Sequence, residues 1–261
     1  MKKRSLSALI LLIVLVGSII INYKAFGIVM LVAAILGFRE LVSIKYGEKS
    51  SEIEIIKLLG YASIFLIVMD DIFFKVDDKF LMMLPMLGVT IPIIFYNDSK
   101  RYNIQDAFFV MGIVFFLGFA FHNIIYMAKL DIYKCILIFL VSFVTDTYAY
   151  IGGMLIGRHK LTSISPKKSI EGSIIGTIMG CLVGVFFYHI FIGGLNPIAI
   201  VLICLFLTII SQIGDLIFSS IKRYFNKKDY SNLIPGHGGI LDRFDSVIFV
   251  SLGLILVLSI I

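Results

Sequence analysis

The sequence predicts an all-α polytopic membrane protein of about nine transmembrane helices, with its N-terminus cytoplasmic and its C-terminus outside. Three observations lead there. Of its 261 residues, 59% are hydrophobic and 15% charged, and the mean hydropathy is +1.03. A soluble domain carries about a quarter charged residues, because its surface needs them, so soluble globular classes are excluded. The apolar residues gather into runs near the ~20-residue length that crosses a hydrocarbon core. The charged residues gather into the breaks between those runs.

The runs fall at 5–22, 25–43, 55–74, 80–96, 106–127, 133–156, 170–192, 197–221 and 243–261. Lys2, Lys3 and Arg4 ahead of the first mimic a signal peptide, but the run to Ile21 is long and lacks a small-residue cleavage site, so a retained helix is expected. Asn22-Tyr23-Lys24 separates the first two runs as the turn of a helical hairpin. Later breaks carry charge, Gly, Pro or Asn, and the two longest polar loops are 157–169 and 222–242. Of the 23 Lys and Arg residues, Lys24, Lys75, Lys79, Lys129 and Lys134 fall on one side, and the other eighteen share the side of the N-terminus. The positive-inside rule places that side in the cytoplasm. The net charge is +6, but in a membrane protein the placement of positive charge matters more than its total, and no nucleic-acid partner is expected. Cys135, Cys181 and Cys204 sit far apart inside apolar runs and read as small buried hydrophobes rather than metal ligands. The chain is expected to form a single membrane domain over 1–261.

Both long loops lie on the expected cytoplasmic side, flanked by carboxylates at membrane depth: Asp146 before the first, Asp215 before the second, Asp242 and Asp245 after it. An ionisable group there is costly and marks function by default. Asp242 and Asp245 are spaced i,i+3 and share a helix face; Asp215 lies four residues after Ser211 and four before Ser219, a polar stripe on an apolar helix. Converging carboxylates without a His–Cys cluster suit a hard cation, Mg²⁺ better than zinc. Lys222, Arg223, Lys227, Lys228 and Arg243 stand around them, as metal-assisted transfer of a phosphoryl or nucleotidyl group requires. Pro235-Gly236-His237-Gly238-Gly239 opens the last run. It reads either as a loop whose backbone N–H groups hold an anion or as an ordinary Gly-rich turn. His237 stays open between phosphate donor, base and loop filler.

The run Ser219-Ser220-Ile221-Lys222-Arg223, then Lys228-Asp229, then His237-Gly238-Gly239-Ile240-Leu241-Asp242-Arg243-Phe244-Asp245 resembles the signature of the phosphatidate cytidylyltransferase family. Asp146-Thr147-Tyr148-Ala149-Tyr150, Gly153 and Ser165-Pro166-Lys167-Lys168-Ser169-Ile170-Glu171-Gly172 resemble a second stretch of the same enzymes. The resemblance covers a catalytic half at about 143–246. It implies a multi-helix membrane fold in the cell membrane, a homodimer, and a cytoplasm-facing cavity open to lipid. It also implies Mg²⁺ with a second, monovalent cation such as K⁺ beside it, and metal-binding positions at Asp215 and Asp242 with Asp245 adjoining.

The expected reaction transfers the cytidylyl group of CTP to phosphatidic acid. Lys222, Arg223 and Arg243 are read as binding the triphosphate or the lipid headgroup, and Ser219 as a polar ligand to metal or phosphate. Lys167 and Lys168 bind substrate phosphate from the facing loop or merely anionic lipid. His237, Gly238 and Gly239 are read as substrate-binding, and Asp146 and Glu171 as supporting the metal ligands from behind. Two alternatives are a CTP-dependent polyprenol or dolichol-type lipid kinase and, outside enzymes, an ion-coupled transporter. The complete signature disfavours the first, and the concentration of polar residues at one face disfavours the second.

Overall fold

The structure is a computed structural model that describes residues 2–47, 54–95, 102–234, 236 and 238–260. Among these residues the regular structure is helical, and β-pairing is limited to the isolated bridges Lys160–Ser169 and Ile234–Gly238. The chain forms two compact units. One comprises Met1–Tyr126 and Asp229–Leu241, the other Met127–Lys228 and Asp242–Ile261.

The first unit contains α1 (Lys2–Ile21), α2 (Tyr23–Tyr46), α3 (Glu54–Val68), α4 (Asp78–Thr90), the short α5 (Pro92–Phe95) and most of α6 (Ile104–Leu130). On α2, Phe26, Met30, Ala34, Phe38 and Leu41 are buried while Ile28 and Val32 are exposed, the three-to-four-residue period of a helix with one packed face. Ile64 and Ile67 of α3 and Val114, Leu117 and Phe121 of α6 supply the rest of this core. The Phe38 and Tyr61 rings meet edge-on at 5.5 Å. Asn103 and Asp106 cap α6 reciprocally: Asp106 N–H donates to Asn103 Oδ1 at 3.0 Å, and Asn103 N–H to Asp106 Oδ2 at 3.2 Å. Lys45 and Tyr46 at the end of α2 also bond Asp106, so the polar ends of two helices close on one carboxylate.

The second unit contains α7 (Ile132–Ile156), α8 (Ile170–Phe187, running into a π-helical turn at Tyr188–Ile192), α9 (Pro197–Tyr224) and α10 (Leu241–Leu258). Gly172, Gly176, Gly180 and Gly184, each buried, line one face of α8. A Cβ at Gly176 would lie 2.7 Å from Thr145 O, and one at Gly172 would lie 2.8 Å from Gly153 N. The α8 backbone therefore rests directly on α7, as small residues at four-residue spacing allow between membrane helices. Polar groups then tie α8 to α9: Gln212 donates to Ser173 O at 3.2 Å and to Thr177 Oγ1 at 2.7 Å. Gly214 of α9 faces Phe249 of α10, and Phe249 meets Phe218 edge-on at 6.2 Å.

Among the described residues, six stretches are long and apolar enough to cross a bilayer: Tyr23–Tyr46, Asp78–Phe95, Ile104–Leu130, Ile132–Ile156, Ile170–Ile192 and Pro197–Tyr224. The described residues of the nine runs read from the sequence are almost all helical, and six of the runs correspond to these stretches. The first run lies on the 20-residue α1, Lys2–Ile21, and the third on the 15-residue α3, Glu54–Val68. The third is cut short because α3 ends at Val68 and a π-helical turn, Asp70–Phe74, follows; Val76 N–H donates to Asp70 Oδ1 at 2.9 Å. The last, α10, carries Asp242, Arg243 and Asp245 at its start. Of the cysteines, Cys135 and Cys204 are buried as expected and Cys181 is half-buried.

Candidate functional site

The site is built on α9, whose Ser211, Asp215, Ser219 and Lys222 recur at helical spacing; all but Asp215 are buried. Ser219 Oγ donates to Asp215 Oδ1 at 3.3 Å. Two ion pairs flank this stripe. Lys168, from the loop before α8, meets Asp215. Lys222 Nζ lies 2.6 Å from Asp242 Oδ1, with the two side chains only 11% and 5% exposed. Asp146 of α7 and Asp245 of α10 lie within electrostatic reach of Asp215 and of each other. Three helices and one loop thus bring together Asp146, Lys168, Asp215, Ser219, Lys222, Asp242 and Asp245. Close packing of α8 on α7, and the contacts of Gly214 and Phe218 of α9 with Phe249 of α10, help to fix where the carboxylates stand.

This donor set offers oxygen ligands without thiolate or imidazole, the chemistry of a hard cation. Among the described residues no three His, Cys, Asp or Glu side chains already surround a common point. Magnesium does not require that, since it takes one or two carboxylates and completes its shell with water and substrate phosphate. The Ser211 hydroxyl, one turn from Asp215, is buried with no hydrogen-bond partner among the described residues, an oxygen that protein contacts have not satisfied. The residues present fit Mg²⁺ on these grounds.

The loop between α7 and α8 is held by its own hydrogen bonds. Leu161 N–H donates to Lys168 O at 2.9 Å, and Ile170 N–H to His159 O at 2.9 Å. Glu171 accepts from Arg158 N–H at 3.1 Å and lies 2.6 Å from His159 Nδ1. The structure thus places the Glu171 carboxylate on the loop backbone, where it fixes the segment that delivers Lys168. The adjacent Lys167 is exposed, in contrast to Lys168. Arg223 is also exposed; its Nη1 donates to Lys227 O at 2.8 Å, which closes the end of α9. Arg243 is exposed at the start of α10.

In the other unit, Gly236 and Gly238 adopt φ of 79° and 83°, the left-handed region that glycine tolerates, and Ile234 N–H donates to Gly238 O at 2.9 Å. His237 lies outside the described residues. Gly239 is buried against Glu40 of α2, a residue the sequence reading passed over. Its signal was a carboxylate inside the apolar run 25–43, masked by the neighbouring Arg39 and the nearby loop.

Among the described residues, the helical fold, six membrane-length stretches and a cluster of carboxylates and lysines on the helices define a multi-pass membrane protein. Comparison with known sequences takes this further. The pattern of the Cytidylyltransferase family matches residues 2–261, and the chain belongs to that family. It is 32% identical over 261 residues to the phosphatidate cytidylyltransferase of Staphylococcus haemolyticus, covering 96% of each chain. It is 31% identical over 257 residues to that of Bacillus subtilis, covering 96% of this chain and 94% of the relative. With that of Staphylococcus saprophyticus it shares 33% identity over 256 residues, covering 96% of each.

Proposed function

We propose that the chain transfers the cytidylyl group of CTP to phosphatidic acid, forming CDP-diacylglycerol and releasing pyrophosphate. The observation that carries this reading is the pairing of motif residues in space. Lys222 and Asp242, from the two ends of the Ser219–Asp245 run, form a buried ion pair beside Asp215, in a chain that matches phosphatidate cytidylyltransferases over nearly its whole length.

A phosphatidate phosphate oxygen attacks the α-phosphorus of CTP, the bond from that phosphorus to the bridging oxygen breaks, and pyrophosphate leaves with the electron pair. The nucleophile is already anionic at neutral pH, so the protein's work is positioning and charge neutralisation. Asp215 and Asp242, with Asp245 adjoining, would hold Mg²⁺, and a monovalent cation such as K⁺ would add further charge neutralisation. When bound, Mg²⁺ neutralises charge on the nucleotide phosphates. Lys168 and Lys222 hold the carboxylates apart and in place, and Arg243 contacts the phosphate on which charge develops. Ser219 steadies Asp215. Asp146 acts through Asp215 and Asp245, without touching substrate.

The enzyme sits in the cell membrane with about nine spans and with its active site and N-terminus on the cytoplasmic side, a reading supported by the excess of Lys and Arg in the loops of that side. It works as a homodimer. Incubation of the purified protein in mixed micelles with CTP, phosphatidate and Mg²⁺ tests the reaction: one pyrophosphate is released for each CDP-lipid formed. Release of CDP with no pyrophosphate contradicts it.

A further inference from the structure

Glu40 lies within α2, a helix of membrane-crossing length, yet its side chain is buried at 5% exposure. A carboxylate taken out of water is costly unless several donors meet it. Here its donors include Ile240 N–H at 2.8 Å on Oε1, Leu241 N–H at 2.9 Å on Oε2, and Ser231 Oγ at 2.7 Å on Oε1. The first N–H groups of a helix have no partner inside it, and a local Ser, Thr, Asp or Asn usually caps them. The residue before α10 is Ile240, which carries no such side chain. The cap comes instead from a carboxylate about two hundred residues earlier, and its charge also suits the positive end of the helix dipole.

Two glycines make room for this arrangement. A Cβ on Gly239 would sit 2.6 Å from Glu40 Oε2 and Cδ, so position 239 must lack a side chain while Glu40 is in place. A Cβ on Gly37, one turn before Glu40, would sit 2.9 Å from Leu241 Cδ2. Leu241 is fully buried, so α2 holds this residue by both its backbone N–H and its side chain.

We propose that Glu40 is a positioning residue for the transfer reaction: its carboxylate clamps the backbone of Ile240 and Leu241 and thereby sets the start of α10, from which Asp242 and Asp245 project. The role rests on the reading of those two aspartates as metal-holding residues. It also gives Gly239 a reason other than substrate contact, since the missing side chain accommodates Glu40.

The test uses full-length protein in detergent with Glu40→Ala and the milder Glu40→Gln, whose amide offers only one acceptor oxygen to the two N–H groups. Hydrogen exchange of peptides spanning 238–243, measured without metal or substrate, is expected to quicken about tenfold or more in Glu40→Ala. Exchange along α8 stays unchanged. In activity assays the Mg²⁺ needed for half-maximal turnover rises about 10- to 100-fold. Gly239→Ala is damaging beside Glu40 but adds little in the Glu40→Ala background, because the clash is gone. Unchanged exchange at 238–243 in both Glu40 variants overturns the clamp. So does a Gly239→Ala loss of equal size in both backgrounds. Faster exchange with the Mg²⁺ dependence and turnover intact overturns the positioning role. Failure of the unaltered protein to consume CTP with phosphatidate would overturn the proposed reaction instead, and the exchange result would stand.

Discussion

Lys168 meets Asp215 whereas the neighbouring Lys167 is exposed, so two adjacent lysines with the same charge have different work. Removing Lys168 leaves Asp215 facing Asp146 and Asp245 without its cation, and carboxylates that repel one another shift apart. Lys168→Ala is therefore expected to lower kcat/KM by on the order of 10²-fold. Lys167→Ala is expected to cost less than about tenfold, mostly in KM for phosphatidate, because an exposed charge binds ground and transition states alike. Steady-state kinetics of the two single variants, varying CTP and phosphatidate separately, checks the split. Asp215→Asn is expected to reduce turnover by about 10²- to 10³-fold or more while the protein still inserts and purifies normally. The buried Lys222–Asp242 pair predicts something different. Either Lys222→Ala or Asp242→Ala breaks a buried pair, at a cost of about 3–5 kcal/mol. The double variant is expected to be clearly more stable than the sum of the two losses, which thermal melting of all four proteins in detergent measures.

At the scale of helices, the site depends on backbones in direct contact. Gly176→Ala on α8 places a methyl against Thr145 O, which belongs to backbone and has nowhere to retreat. It is expected to cost about 1–3 kcal/mol and to lower activity by displacing the helix that carries Asp146. Gly112→Ala on α6 meets nothing within 4 Å and is expected to be neutral or slightly stabilising, by up to about 1 kcal/mol, since alanine favours a helix. Melting temperatures of the two variants side by side test the contrast. Helix ends were legible in the sequence because their causes are local. Asn22, Asp77, Asp131, Ser169 and Asn196 each accept from an N–H two or three residues on. The four-residue glycine period of α8 was equally local, but within a continuous apolar run it reads as hydropathy and not as a packing face. The short third run shows the opposite limit: Asp70 accepts from Lys75 N–H and Val76 N–H where the chain turns, and the apolar residues around it hide this.

At the scale of the whole molecule, Asp146, Asp215, Asp242 and Asp245 were readable because they flank the two longest polar loops, a signal that Glu40 lacks. Which lysine meets which aspartate was not, because that is set by how helices distant in sequence pack. Glu40 shows the same limit, with its partner Leu241 lying 201 positions away. Topology remains a matter of charge placement, and it has a direct check. With the native cysteines replaced, Asn232→Cys is expected to react with an impermeant thiol reagent only from the cytoplasmic side and Asp77→Cys only from outside. Labelling of both from one side contradicts the assigned orientation. The central claim is that the nucleotidyl group, and not a terminal phosphoryl group, moves onto the lipid. Two reactions with purified protein and phosphatidate decide it, one with CTP labelled with ³²P at the α-phosphorus and one with the label at the γ-phosphorus. The account predicts label in the lipid fraction from the α-labelled nucleotide and, from the γ-labelled one, label only in released pyrophosphate. Label in the lipid from γ-labelled CTP would contradict it.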